Sequence, residues 1–289
     1  MGMSVQHVTP DLRRWILAQV GDGHSPEAIL KSMHASGWTD SVALQAYEDT
    51  LRSRPAARAA DAGATTNLPS PVAVPEPAAV DQSTCLQLSD RQVPILASLR
   101  EPRVIVFGGL LSDSECDELV LLAQTRLARS ETVQTHTGAS EVNTARTSEG
   151  MFFGRGENPL CARIEARIAE LLNWPLERGE GLQILRYLPG AEYRPHYDYF
   201  DPAQPGTPAI LRRGGQRVAS LVMYLAAPGR GGATVFPDLN LEVNPVKGNA
   251  VFFSYDRPDP STRTLHGGAP VLEGEKWVAT KWLRQGRFD

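Results

Sequence analysis

Beyond Gly181 the chain is built from short apolar runs separated by Gly, Pro, Asn and Asp, a pattern that only strands joined by tight turns can satisfy. Strands are expected at 182–188, around 193–197, and at 217–225, 233–236, 241–246, 250–254, 264–270 and 276–284. Eight short strands in succession must close their edges, and a double-sheet jelly roll, or double-stranded β-helix, does so. The fold class expected is mainly β with flanking helices, an α+β arrangement.

Two helices and a strand lead into this core. Val104-Ile105-Val106-Phe107 reads as a strand, and Ser112-Asp113-Ser114-Glu115 is a capping box that opens a helix with Cys116, Leu119, Val120, Ala123 and Leu127 inward. Ile164, Ile168, Leu171 and Leu172 mark a second helix that ends near Asn173-Trp174-Pro175. At the N-terminus Leu12, Trp15, Ile16 and Val20 recur at helical spacing. Ser25-Pro26 and Thr39 then start two further helices, the last with Val42, Leu44, Tyr47 and Leu51 on its apolar face. The organisation expected is a helical module at 1–52 whose partner is open, a linker rich in Pro and Ala at 53–90, and a large domain at 91–289 with its core at 181–285.

Charge and composition exclude several partners. A formal net charge of -4 and a pI near 5.9 leave no basic surplus for a phosphate backbone, so nucleic acid is not the expected partner. No apolar run has the length of a membrane span, and the first ten residues lack the pattern of a secretory leader, so no membrane association and a cytoplasmic location are expected. Cys85, Cys116 and Cys161 are odd in number and widely spaced, which reads as reduced thiols.

The chemistry concentrates in three places. His196 and Asp198 stand at i and i+2, so a strand end or the turn after it can point both toward one ion. His266 can join them from a distant strand, giving two imidazoles and one carboxylate on one face of a metal with the other face open, the facial triad of non-haem Fe(II) oxygenases. Lys276, ten residues beyond His266, supplies the fixed cation that a dicarboxylate co-substrate such as 2-oxoglutarate needs.

Several segments in consistent order resemble the prolyl 4-hydroxylases, especially the plant and algal collagen-type enzymes. They are Arg146 to Phe152, Tyr193 to Phe200, Gly214 to Ala219, Gly231 to Pro237 and Leu265 to Trp282. The resemblance implies a dioxygenase that hydroxylates peptidyl proline with Fe(II), 2-oxoglutarate and O2, with ascorbate alongside, and releases succinate and CO2. It implies His196, Asp198 and His266 as catalytic iron ligands and Lys276, Thr234 and Tyr187 as residues that hold 2-oxoglutarate. It places Tyr193, Arg217 and Trp282 among peptide contacts and Arg146 in a substrate loop. Each softer position also has a plain structural reading: Tyr187 and Tyr193 as strand aromatics, Thr234 as a β former, Arg217 as a strand-entry charge and Trp282 as core. Two other functions stay open at this stage, hydroxylation of a free amino acid or other small molecule, and a non-catalytic module that binds proline-rich peptides.

Overall fold

A computed structural model describes residues 12, 15–16, 19–20, 25–36, 38–40, 42–50, 68–77, 83–129, 131–133, 140–142 and 147–289. The chain divides into two compact units, Met1–Leu68 and Pro69–Asp289. In the first unit, helix α1 (Pro26–Ala35) begins with Pro at its first position, and the Ser25 hydroxyl accepts the Ala28 N–H at 3.3 Å. Its inward residues Ile29 and Met33 pack with Ile16, Ala43 and Ala46. Ala43 and Ala46 thus form the inner face of the last helical stretch. Leu44, expected inward, is 47% exposed, because alanines let the neighbouring backbones approach more closely than a leucine would.

The second unit opens with β1 (Cys85–Gln87), β2 (Gln92–Leu99) and β3 (Val104–Phe107), then turns into α2 (Asp113–Gln124). Short strands β4 (Ala128–Arg129), β5 (Glu131–Val133) and β6 (Ser140–Val142) lead to β7 (Glu149–Phe153) and α3 (Pro159–Leu171). The core follows as β8 (Leu182–Tyr187), β9 (Tyr193–His196), a short α4 (Thr207–Leu211), β10 (Arg217–Ala226), β11 (Arg230–Gly231) and β12 (Thr234–Phe236). Strands β13 (Leu241–Val243), β14 (Ala250–Ser254), β15 (His266–Gly268), β16 (Val271–Glu273) and β17 (Lys276–Arg284) complete it.

Two antiparallel sheets face each other. The larger has the order β1-β2-β3-β14-β10-β17-β8-β7-β4, the smaller β13-β12-β15-β9. Strands β17 and β14 are buried along their whole length, as the central strands of a covered sheet must be. One cluster, which includes Phe107, Leu119, Ile164, Ile168, Leu221 and Phe252, fills the space between the large sheet and the two long helices. A second, built on Tyr224, Phe236, Val251, Phe253 and Tyr255, lies between the sheets. The fold is the jelly roll that the turn pattern predicts.

Two differences from the sequence reading concern the approach to the core. The large sheet is extended by β1, β2 and β7, whose segments carry Pro94, Gly150 or mostly exposed residues and so lack a clean two-residue period. Residues 69–77 and 83–90, which fall within the span read as a linker at 53–90, belong to the second unit. Leu86 and Leu88 are buried, and Pro75 and Pro77 are covered on either side of Glu76, which pairs with Arg103. Proline segments lack N–H groups that would need partners, so they can lie extended on a surface.

Helix α2 starts with the anticipated capping box: Ser112 Oγ accepts the Glu115 N–H at 3.1 Å, and Glu115 returns the bond to Ser112 N at 2.9 Å. Glu115 also receives both Nη atoms of the buried Arg167 on α3, at 2.8 and 2.9 Å, and Arg167 reaches Asp90 and the Leu110 carbonyl. Burial alone would raise the Glu115 carboxyl, but the bonds from Arg167 and Ser112 bring it down to about 2. Its stabilising contribution is therefore complete above the ordinary glutamate range and fades as pH falls toward 2. Among the described residues no helix is long and apolar enough to cross a membrane. Cys116 and Cys161 are buried in α2 and α3, and burial pushes both thiols up to about 11. Arg167→Met should lower the unfolding free energy by about 3 kcal/mol at neutral pH, because it strips the buried Glu115 of its two-point ion pair and leaves only Arg163 at 3.2 Å and Arg91 at 3.7 Å. Urea unfolding measures this, and an unchanged midpoint would contradict the role of the pair.

Candidate metal centre

Strands β9 and β15 pair so that His196 stands directly opposite His266. Gly267 makes this approach possible, since a Cβ there would stand 2.7 Å from the Tyr193 carbonyl oxygen. Asp198 follows two residues after His196, just past the strand end, and its buried carboxylate lies between the imidazoles. His196 Nε2 is 3.6 Å from Asp198 Oδ1, and His266 Nε2 is 3.4 Å from Asp198 Oδ2. One donor atom from each residue lies within 4.8 Å of the others. Donors held at about 2.1 Å from an ion stand roughly 3 Å apart, so small side-chain adjustments close the three around one cation.

The surroundings fix these donors. His196 Nδ1 is 3.0 Å from the Arg194 carbonyl and His266 Nδ1 is 3.0 Å from the Thr264 carbonyl. A carbonyl accepts only, so each Nδ1 carries its proton and each Nε2 turns a lone pair toward Asp198, the arrangement a metal ligand requires. Burial, opposed in part by Asp198, holds His266 down at about 4, which keeps the imidazole neutral at ordinary pH. Burial would raise Asp198, yet the adjacent His266 and His196 hold the carboxyl well below the usual range. Ser220 on β10 donates to Asp198 Oδ2 at 2.5 Å and lies 3.0 Å from the Tyr255 hydroxyl. The Tyr193 ring stacks on His196 at 3.7 Å, and Phe253 packs on His266 at 4.4 Å.

A recess leads from this cluster into the space between the sheets, walled by Leu185, Tyr187, Val222, Thr234, Lys276 and Val278. Lys276 begins β17 opposite Tyr187 and is 3% exposed. Burial alone brings its ammonium down to about 8. Its nearest aromatic faces are Tyr187 at 5.4 Å and Tyr224 at 5.8 Å. The other buried cations in the described residues have carboxylates: Arg167 has Asp90 and Glu115, Lys281 has Glu165 at 2.5 Å, and Arg284 has Glu180 at 2.6 Å. Lys276 has no carboxylate partner among the described residues. A buried ammonium without an anion is costly, so the recess is shaped for a negatively charged guest.

Of the remaining predicted residues, Tyr187, Tyr193, Thr234 and Trp282 line the recess or its mouth. The Trp282 indole N–H is buried with no hydrogen-bond partner among the described residues. Arg217 does not line the recess. Its guanidinium holds Glu180 at 2.7 and 3.0 Å and lies flat over Trp282 at 3.8 Å, so it acts on the mouth through that ring. Arg146 lies outside the described residues. Three groups escaped the sequence reading: Ser220, Glu180 and Tyr224, whose hydroxyl donates to Thr234 Oγ1 at 2.8 Å. Ser220 carried a signal, a small hydroxyl within the apolar run from Val218 to Met223 of β10.

A family model described as the 2OG-Fe(II) oxygenase superfamily matches residues 182–284. Prolyl 4-hydroxylase 2 of Arabidopsis thaliana is 37% identical over 237 residues, which cover 73% of this chain and 78% of that protein. Prolyl 4-hydroxylase 1 of the same plant is 42% identical over 203 residues, covering 64% and 69%. Among solved structures, the viral collagen prolyl hydroxylase of Paramecium Bursaria Chlorella virus-1 in its 2OG complex aligns with a TM-score of 0.48 and 34% identity, over 63% of this chain and 94% of that one.

The donor set fits a divalent first-row metal, with mixed nitrogen and oxygen ligands on one side. His196→Ala should abolish stoichiometric Co(II) binding in anaerobic titration. Ser220→Ala should weaken it by about 10-fold or more, because the carboxylate loses the bond that orients it. Parental Co(II) affinity in both variants would contradict the centre.

Proposed function

Because the chain belongs to the prolyl 4-hydroxylase family of Fe(II)- and 2-oxoglutarate-dependent oxygenases, we propose that His196, Asp198 and His266 hold its iron and that Lys276 binds its 2-oxoglutarate. The chain is a 2-oxoglutarate-dependent dioxygenase that hydroxylates proline with Fe(II), 2-oxoglutarate and O2, and its substrate is a proline-containing peptide. The observation that carries the site assignment is the buried, unpaired Lys276 at the far end of a recess that starts at the triad.

Iron, when bound, couples oxidative decarboxylation of 2-oxoglutarate to insertion of oxygen into a C–H bond. The chain's own residues do the positioning. His196, Asp198 and His266 occupy one face of the ion and leave the rest for co-substrate and O2. Lys276 meets the far carboxylate of 2-oxoglutarate in a setting where burial strengthens the attraction. Tyr224 donates to Thr234, which frees the Thr234 hydroxyl proton for that same carboxylate; Tyr187, the direct partner of Lys276 on β8, offers a second hydroxyl. Val222, Val278 and Leu185 keep water from the corridor between the two ends.

At the mouth, Tyr193 and Trp282 present aromatic faces to a proline ring, and the free Trp282 N–H meets a peptide carbonyl. Arg217, clamped by Glu180, holds the Trp282 ring in place, and Arg146 serves as a further peptide contact. Ascorbate joins as the reductant that keeps the metal ferrous. Residues 91–289 carry catalysis in this reading, and 1–52 are a separate helical module. The place of action is the cytoplasm, and neither nucleic acid nor membrane is a partner.

Lys276→Ala should raise the KM for 2-oxoglutarate by about 100-fold, the loss of a buried charge-assisted contact, while Co(II) affinity stays parental. In the parental enzyme the protonated ammonium is the binding form, so apparent affinity for 2-oxoglutarate should fall as pH rises above about 8. Succinate formation followed against 2-oxoglutarate concentration measures both. A KM that is unchanged by the substitution and flat across that pH range would contradict the assignment.

A further inference from the structure

We propose that the chain is a substrate of its own site, with Pro69 and Pro71 hydroxylated and Pro75 and Pro77 spared. The proposal rests on the prolyl hydroxylase reading above and adds a modification site to it.

The segment Pro69-Ser70-Pro71-Val72-Ala73-Val74-Pro75-Glu76-Pro77 belongs to the second unit and has neither helix nor strand structure. Its four prolines favour extended polyproline II backbone, the form in which proline rings are displayed and docked. Its two halves differ in how they are held. Pro75 and Pro77 are buried, and Glu76 between them receives Arg103 through Nε at 2.9 Å and Nη2 at 2.5 Å. Ser70 and Pro71 are exposed and Pro69 half-buried, and the half is tied down where the Val72 N–H donates to the Asp256 carbonyl at 2.8 Å. One bond holds the first half, whereas burial and an ion pair hold the second.

That tie is joined to the metal centre by a short chain of contacts. Asp256 follows Tyr255, whose hydroxyl is 3.0 Å from Ser220 Oγ, and Ser220 donates to Asp198 at 2.5 Å. Tyr255 also meets Tyr199 edge-on at 6.1 Å, and Tyr199 stacks on Tyr197 at 4.8 Å. Tyr197 is the residue between His196 and Asp198. Tyr255 is itself buried, so tie and triad are linked through the interior, a tyrosine's length and two hydrogen bonds apart, while the half-buried Tyr197 and Tyr199 offer aromatic surface beside the triad of the kind polyproline segments dock on. Pro71 adjoins Val72, and Pro69 lies three residues from it, roughly 10 Å of extended chain. Opening the Val72 bond frees both to reach Tyr197 and Tyr199, with Pro75 and Pro77 remaining as the pivot.

The step needs nothing beyond the family reaction. One atom of O2 replaces hydrogen on a pyrrolidine carbon as a hydroxyl, and the displaced hydrogen becomes the hydroxyl hydrogen. The other oxygen atom enters succinate as 2-oxoglutarate loses CO2. The ring C–H bond and 2-oxoglutarate each supply two electrons, so O2 is fully reduced.

The test uses the full chain, purified under metal chelation and then incubated with Fe(II), 2-oxoglutarate, ascorbate, isotopically labelled O2 and a synthetic proline-rich peptide in the same tube. Peptide mapping by mass spectrometry should find one labelled oxygen on each of Pro69 and Pro71 and none on Pro75 or Pro77. A chain carrying both Pro69→Ala and Pro71→Ala should take up no label and hydroxylate the added peptide at the parental rate. Labelled peptide with an unlabelled chain would overturn the proposal and leave the prolyl hydroxylase reading intact. Equal label on all four prolines would also overturn it, because anchoring would then not select the site. Succinate formed without label on either peptide or chain would remove the prolyl reading itself.

Discussion

The centre depends on how closely strands β9 and β15 approach one another. Their pairing puts His266 opposite His196, and it tolerates no side chain at position 267, where a Cβ would meet the Tyr193 carbonyl at 2.7 Å. From this contact the rest of the site follows. Asp198 leaves the end of β9 into the gap between the rings, and β10 brings Ser220 beneath it. The same small sheet carries Thr234 on β12, next to β15. A two-residue strand period and one missing methyl group thus set the position of three metal donors and one hydroxyl.

The large sheet supplies charge. Within it β17 carries Lys276, Lys281 and Arg284, all buried. Lys281 and Arg284 are each neutralised by a glutamate, Glu165 and Glu180, and so add to the packing of the wall. Lys276 alone of the three lacks such a partner among the described residues, and it alone faces the recess. A protein interior holds an unpaired ammonium only at a cost, and binding of a dicarboxylate removes that cost. Such a site prefers a doubly anionic acid that spans from metal to lysine over any monoanion that reaches one end.

Much of this was legible from sequence because the relevant periods are short. Eight of the ten core strands show themselves through their turns, the short β11 and β16 being the two that do not, and His196, Asp198, His266 and Lys276 stand at or just past strand ends where the alternation of side chains can be counted. The parts that were not legible depend on pairings between distant residues. Nothing near Arg217 announces that Glu180 will hold it and turn it onto Trp282, and nothing in β2 or β7 announces that they extend the sheet, since edge segments are freed from the alternation that burial imposes. The place of residues 69–77 and 83–90 in the second unit was hidden for a related reason. Proline and alanine are common in free linkers, but the same composition suits a segment lying extended on a surface, and the covering of Pro75 and Pro77 is visible only once Arg103 has found Glu76.

The account stands on a single geometry, a ferrous ion at His196, Asp198 and His266 and a 2-oxoglutarate stretched from it to Lys276. An anaerobic crystal structure of the chain with Fe(II) and 2-oxoglutarate tests it most directly. The account predicts anomalous density for iron within bonding distance of His196 Nε2, Asp198 and His266 Nε2, with the far carboxylate of 2-oxoglutarate in contact with Lys276 Nζ. Iron bound elsewhere, or a 2-oxoglutarate whose far carboxylate avoids Lys276, would contradict it.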